Sequence, residues 1–194
     1  MVMGVLGISS SASALPYSYD FSTFAVEGQS FEGATLGVMT LTSQSGDLKY
    51  TNSYGGGIAG NIAGGAAADI NLAFSTPISQ IAVRGGDGSG DSDAFSLYLY
   101  EFATNNLLGR FDTPVFGGAN EPEWYTLSVP FANIGRVVID PGNSGILPGV
   151  WPGSGGVVVT DINYTTGASV PEPYTLLLLG SGLIGLVAVR KKMA

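Results

Sequence analysis

Apolar residues fall on alternate positions twice in quick succession. Ile70, Leu72 and Phe74 alternate with Asp69, Asn71 and Ala73, and Ile81 and Val83 alternate with Ala82 and Arg84. A period of two puts one set of side chains on one face of an extended chain, so both stretches read as half-buried β-strands. Thr76-Pro77 is expected to break them apart, because proline cannot donate to a strand ladder. Residues 95–102 differ in being apolar on both faces, with Phe95, Leu97 and Leu99 on one and Tyr98, Tyr100 and Phe102 on the other. That pattern suits a central strand.

Shorter β-like runs occupy 17–21, 37–42, 47–50, 107–112, 124–129, 135–140 and 157–164. The run at 107–112 follows 95–102 across Asn105-Asn106, a hairpin spacing. The Gly/Ala tract at 54–68 has too little side-chain volume to make a core and is expected to be a surface loop. It is no phosphate cradle, since no Gly-Lys-Ser/Thr follows it. Before residue 173 no helical period exceeds two turns. The fold expected is all-β, an antiparallel two-sheet sandwich of roughly eight to ten strands over 15–166. Ile81, Val83, Phe95, Leu97, Leu99, Leu127, Val137, Ile139 and Ile162 are its expected core.

Thirty glycines, 11% charged residues and no cysteine favour short strands joined by glycine turns, without a disulfide framework. Histidine is absent as well, which removes the Ser-His-Asp and Cys-His constellations. A glycosidase needs only two carboxylates, and Glu101, Glu121, Glu123 and Asp140 keep a glycan hydrolase open as the alternative to a non-catalytic protein. The net charge is −8, and taking away one carboxylate and three cations of the C-terminal tail leaves the body near −10. With Lys49, Arg84, Arg110 and Arg136 as its cations, such a body is a poor partner for nucleic acid.

Two sets of residues are candidate ligand sites. Trp124, Tyr125 and Trp151 offer flat rings that can stack on sugar faces, with core packing as the competing role. Asp87, Asp91 and Asp93 crowd three carboxylates into the glycine-rich loop 85–93, where calcium would relieve their repulsion; a solvated acidic turn is the competing reading. No EF-hand pattern is present in that loop.

The chain closes with Val170-Pro171-Glu172-Pro173, an uncharged run at 174–189 and the cations Arg190, Lys191 and Lys192. As a helix the run is about 24 Å long at ~1.5 Å per residue. That falls short of a hydrocarbon core of roughly 30 Å, so it would span only a thin or locally thinned bilayer, with its basic end on the cytoplasmic side. At the other end, residues 1–8 are apolar and Ala12-Ser13-Ala14 is an A-x-A pattern, so 1–14 reads as the remnant of a signal peptide. The layout expected is 1–14 signal remnant, 15–166 β-domain, 167–173 linker and 174–194 transmembrane sorting helix with basic tail.

In order and spacing, these tail residues resemble the PEP-CTERM sorting tail of bacterial proteins. The resemblance implies recognition and processing by an exosortase near Pro171-Glu172-Pro173. It also implies passage through the inner membrane to the surface or extracellular matrix of a Gram-negative, exopolysaccharide-making bacterium. The body is similar to the jelly-roll domains of galactose-binding-like and carbohydrate-binding modules. That likeness is carried by Phe74-Ser75-Thr76-Pro77-Ile78, the loop 85–93, Leu107-Leu108-Gly109 and Thr160-Asp161-Ile162. Binding of exopolysaccharide is the function it implies.

Overall fold

A computed structural model describes residues 14–52, 55–60, 68–87, 92–117, 123–142 and 157–167. The strands are β1 (Pro16–Asp20), β2 (Thr35–Leu36), β3 (Met39–Ser43), β4 (Leu48–Thr51), β5 (Gly57–Gly60), β6 (Ile70–Gly86), β7 (Ser96–Glu101), β8 (Leu107–Asp112), β9 (Trp124–Asp140) and β10 (Val158–Thr166). A single helical turn, α1 (Phe21–Phe24), follows β1 and is capped by Asp20, whose carboxylate accepts from Ser22 N. Every strand pairing among the described residues is antiparallel, so the all-β expectation holds. Among the described residues no helix is long and apolar enough to cross a membrane. The segment 174–189 lies outside them.

Two strands of seventeen residues organise the sheet. β6 and β9 pair from Ile70↔Ile139 at one end to Gly86↔Trp124 at the other. β3, β7 and β8 assemble beside the first half of β6 and the second half of β9. β10 pairs with the second half of β6, and β1 and β5 lie along the far side of β10. Between the halves the register shifts, first between Ala73 and Ile78 and again between Ile78 and Gln80. This corrects the break expected at Thr76-Pro77. Pro77 sits in the stretch that β9 leaves unpaired, where its missing N–H costs no ladder bond, while its carbonyl accepts from Gly167 N at 2.9 Å. The runs 124–129 and 135–140 are likewise one strand, turned at Asn133 (φ 64°). Two residues on, only glycine fits, since a Cβ on Gly135 would lie 2.2 Å from Phe102 Cα.

Alternation carries the core as the sequence implied. Leu41, Leu72, Val137 and Leu99 form one row across four strands of the first half, and Tyr164, Ile81 and Val129 form one in the second. All of them belong to one buried cluster. Of the nine residues expected inside, eight are fully buried and Leu127 packs against the cluster from its margin. β7 is an inner strand, but β8 borders it, and β6 and β9 hold the centre. Tyr98 and Tyr100 accordingly turn to the outer face, under Arg110 and Arg136.

The Gly/Ala tract departs further from expectation. Gly57–Gly60 is β5, with Ile58 fully buried. Glycine is what allows it: a Cβ on Gly57 would meet Val159 O at 2.7 Å. Low side-chain volume here serves close backbone approach in place of a loop.

Tyr164 ties the halves together. Its hydroxyl donates to Leu36 O at 3.0 Å and accepts from Val38 N at 3.2 Å, gripping the turn between β2 and β3. At that turn Gly37 has φ 62°, and a Cβ would stand 2.7 Å from the hydroxyls of Tyr164 and Tyr19. Tyr17 stacks on the Tyr164 ring at 4.9 Å, and Phe74 meets it edge-on at 5.2 Å. Burial, and then the hydrogen bond with Tyr19, holds the Tyr164 hydroxyl well above the ordinary phenol pKa. Because the folded state keeps this proton, its contribution is complete below the unfolded value of about 10 and is lost as pH rises beyond it.

Tyr164→Phe leaves Val38 N and Leu36 O without their partner and should lower unfolding free energy by about 1–3 kcal/mol in denaturant titrations at neutral pH. Above pH ~10 the variant should lose stability less steeply than the parent.

Candidate functional site

The strands of the second half send alternate residues outward as well. Pro16, Thr165 and Gln80 form one outer row across β1, β10 and β6, and Ser18, Asn163 and Ala82 form the next. Together they line an open groove of about 310 Å³, which Tyr17 and Tyr164 also border. Its width is two strand spacings, roughly 10 Å, and its length along the strands is about two residues, roughly 7 Å.

Three of its polar groups are unengaged. Among the described residues, the hydroxyls of Ser18 and Thr165 and the amide of Asn163 make no side-chain hydrogen bond. Gln80 reaches out of the groove to Ser128 Oγ at 3.4 Å through Nε2, which leaves its carbonyl oxygen available. Ala82 supplies an apolar floor and Pro16 an apolar wall. No lining residue is an acid or a base other than the two tyrosines, whose rings belong to the core cluster and its margin. The next outer row is Asp20, Asp161 and Arg84, with Asp161 bonded to Arg84 Nη1 at 3.4 Å and to Thr160 Oγ1 at 2.7 Å.

Trp124 ends the same outer face, opposite Gly86. Arg84 lies over its ring at 5.3 Å. Gly86 and Gly55 press on it so closely that a Cβ on either would come within 2.9 Å and 2.5 Å of ring carbons. Trp124 is therefore propped between glycine backbones and a guanidinium. Tyr125 points to the opposite side, stacks on Phe116 at 5.6 Å and packs against the core. Trp151 lies outside the described residues, as do Val170, Pro171, Glu172, Pro173, Arg190, Lys191 and Lys192.

Asp87 and Asp93 are both buried, 7% and 4% exposed, at the two ends of their loop. Asp93 also exchanges backbone hydrogen bonds with Phe116, at 2.7 and 2.9 Å. Asp91 lies outside the described residues, and among those described no three acidic side chains converge as a metal site.

The carboxylates suited to hydrolysis stand apart. Glu101 pairs with Ile134, where it accepts from Asn133 and Thr104, and Asp140 lies six residues further along β9, about 20 Å at ~3.3 Å per residue. Glycosidase pairs are separated by roughly 5–9.5 Å. Glu123 precedes the opposite end of β9, and Glu121 is outside the described residues. Asp69, beside Asp140, has its pKa raised by burial and then by that neighbouring charge.

The groove escaped sequence reading because none of its residues is unusual alone. Its signal is collective: the outward positions Ser18, Gln80, Ala82, Asn163 and Thr165 carry no charge, on a chain that is otherwise strongly acidic.

Residues 169–192 match the PEP-CTERM protein-sorting motif. The motif marks an exported protein sorted to the cell envelope or surface, and it implies processing by an exosortase. No curated protein matches the chain. Among solved structures the chain is similar to a family 29 carbohydrate binding module from Piromyces equi, at 11% identity and TM-score 0.44 over 84% of this chain and 97% of that one. It is also similar to the K2 cleaved adhesin domain of Lys-gingipain, at 15% identity and TM-score 0.41 over 78% and 100%. A third likeness is to CBM35 from Cellvibrio japonicus Abf62, at 13% identity and TM-score 0.32 over 81% and 95%. These likenesses are loose and carry no functional weight.

Gly86→Ala places a methyl group 2.2 Å from Glu123 O and against the Trp124 ring. It should destabilise the protein by about 1–3 kcal/mol and shift tryptophan fluorescence, in thermal unfolding followed by emission.

Proposed function

We propose that this chain is an exported, non-catalytic surface or matrix protein that binds exopolysaccharide in the groove across β1, β10 and β6. In this reading the two halves of the sheet are the layers of a jelly-roll-like sandwich. The tail at 174–189 holds the protein in the inner membrane until an exosortase processes it near Pro171-Glu172-Pro173. The observation that carries the binding is the set of unengaged groups on Ser18, Asn163 and Thr165 around an apolar floor. A sugar ring presents hydroxyls at its rim and C–H surface on its faces. A shallow groove with fixed donors and acceptors over alanine and proline complements both. Lacking a carboxylate, the groove has no group to protonate a glycosidic oxygen or activate water.

Asn163→Ala and Thr165→Val each remove one hydrogen bond of about 0.5–1.5 kcal/mol. Each should raise Kd roughly two- to tenfold, in titrations with the polysaccharide shed by the producing cells, while thermal stability stays unchanged. Unaltered affinity in both variants would remove the groove from the reading. Sorting has its own test: Glu172→Ala should accumulate as an unprocessed membrane form on immunoblots of fractionated cells.

A calcium ion held by Asp87, Asp91 and Asp93 is a second proposal, supported by two buried carboxylates, hard oxygen donors, flanking one loop. Millimolar calcium should raise the unfolding midpoint, and chelator or Asp93→Asn should abolish the rise. Equal midpoints with calcium and with chelator would exclude a stabilising ion.

A further inference from the structure

We infer that the groove selects uncharged glycans and rejects uronic-acid polymers, an inference that rests on the groove being the polysaccharide site. Recognition inside it falls to neutral groups, the amides of Gln80 and Asn163 and the hydroxyls of Ser18 and Thr165. None of these can neutralise a sugar carboxylate. The charges nearest along the strands are those of the adjoining outer row. There Asp20 and Asp161 are register partners on the same face, followed by Arg84. Arg84 is already committed. It pairs with Asp161 at 3.4 Å and lies over Trp124 at 5.3 Å, so the row presents one net negative charge to a chain lying along the strands.

A uronate carboxylate entering beside this row would leave water without gaining a cation and would face Asp20 and Asp161. A neutral hexose chain meets no such penalty. Elsewhere the acidic body repels polyanions too, but over distances that salt screens to about 8–10 Å near physiological ionic strength. The carboxylates of the row act at shorter range and resist screening better.

The test is native affinity electrophoresis of the full chain in neutral detergent. Neutral gels carry dextran, mannan or galactan, and acidic gels carry polygalacturonate or alginate, each at low and at high salt. Asp20→Asn with Asp161→Asn is the informative variant, because asparagine keeps the shape of both side chains and still caps α1. The parent should be retarded by at least one neutral polymer and by neither acidic one. In the double variant Arg84 is released, and retardation by the acidic polymers should appear, with apparent affinity rising about fivefold for each carboxylate removed. Retardation of the parent by an acidic polymer at least as strong as by the neutral ones overturns the selectivity and leaves glycan binding standing. The selectivity also falls, with glycan binding intact, if high salt alone admits the acidic polymers and the variant behaves as the parent does. Retardation by no polymer, in either form, overturns the selectivity and the glycan reading together.

Discussion

The pairing of β6 with β9 is the constraint on which the rest of the molecule depends. Both strands run through both halves of the sheet, so each row of the core begins as a contact between these two and is extended by whichever strands flank them. A one-residue slip of β6 against β9 would turn Leu72 and Ile81 outward while Val137 and Val129 stayed in the core. The register shifts near Pro77 and Asn133 let two long strands serve two halves. Each shift stands where its residues tolerate it, at a proline whose nitrogen has no ladder bond to lose and at an asparagine able to hold a positive φ. Gly135 is obligatory for a separate reason, the backbone of the β7–β8 turn packed against it.

Much of this was legible in the sequence, because period-two alternation is a direct consequence of half-burial. It located nearly every strand and eight of nine core residues. What it could not show is continuity, since Thr76-Pro77 reads as a stop in isolation and becomes a corner only when β9 bypasses it. Nor could it show that Gly57–Gly60 is a strand, because the reason lies in Val159, about a hundred residues away, whose carbonyl leaves no room for a side chain. The groove was hidden for the same cause. Ser18 and Asn163 become neighbours through register alone, and neither residue type announces a site.

The tripeptide Asn163-Tyr164-Thr165 concentrates both tasks of the second half. Strand alternation sends Asn163 and Thr165 out to the groove and Tyr164 inward to the turn at Gly37. Consecutive residues on one β-strand cannot move independently, so the grip on Leu36 and Val38 also fixes the two polar groups outside. Under the proposed reading, a groove held in this way would meet a glycan with little ordering left to do, the condition under which a few weak hydrogen bonds yield useful affinity.

β1 lies against β10, with Pro16 opposite Thr165 and Asp20 opposite Asp161. Among the described residues β1 thus has no strand partner until β10 has been made, and one edge of the second half of β6 waits for the same event. During synthesis, at about 5–20 residues per second, the emerging chain holds an incomplete sheet until β10 has appeared. Sequence-distant pairing of this kind is also intrinsically slow. A secreted chain gains from such lateness, since a completed sheet does not thread a narrow channel. Topology here acts as a timer, postponing the completed sheet until β10 has been made.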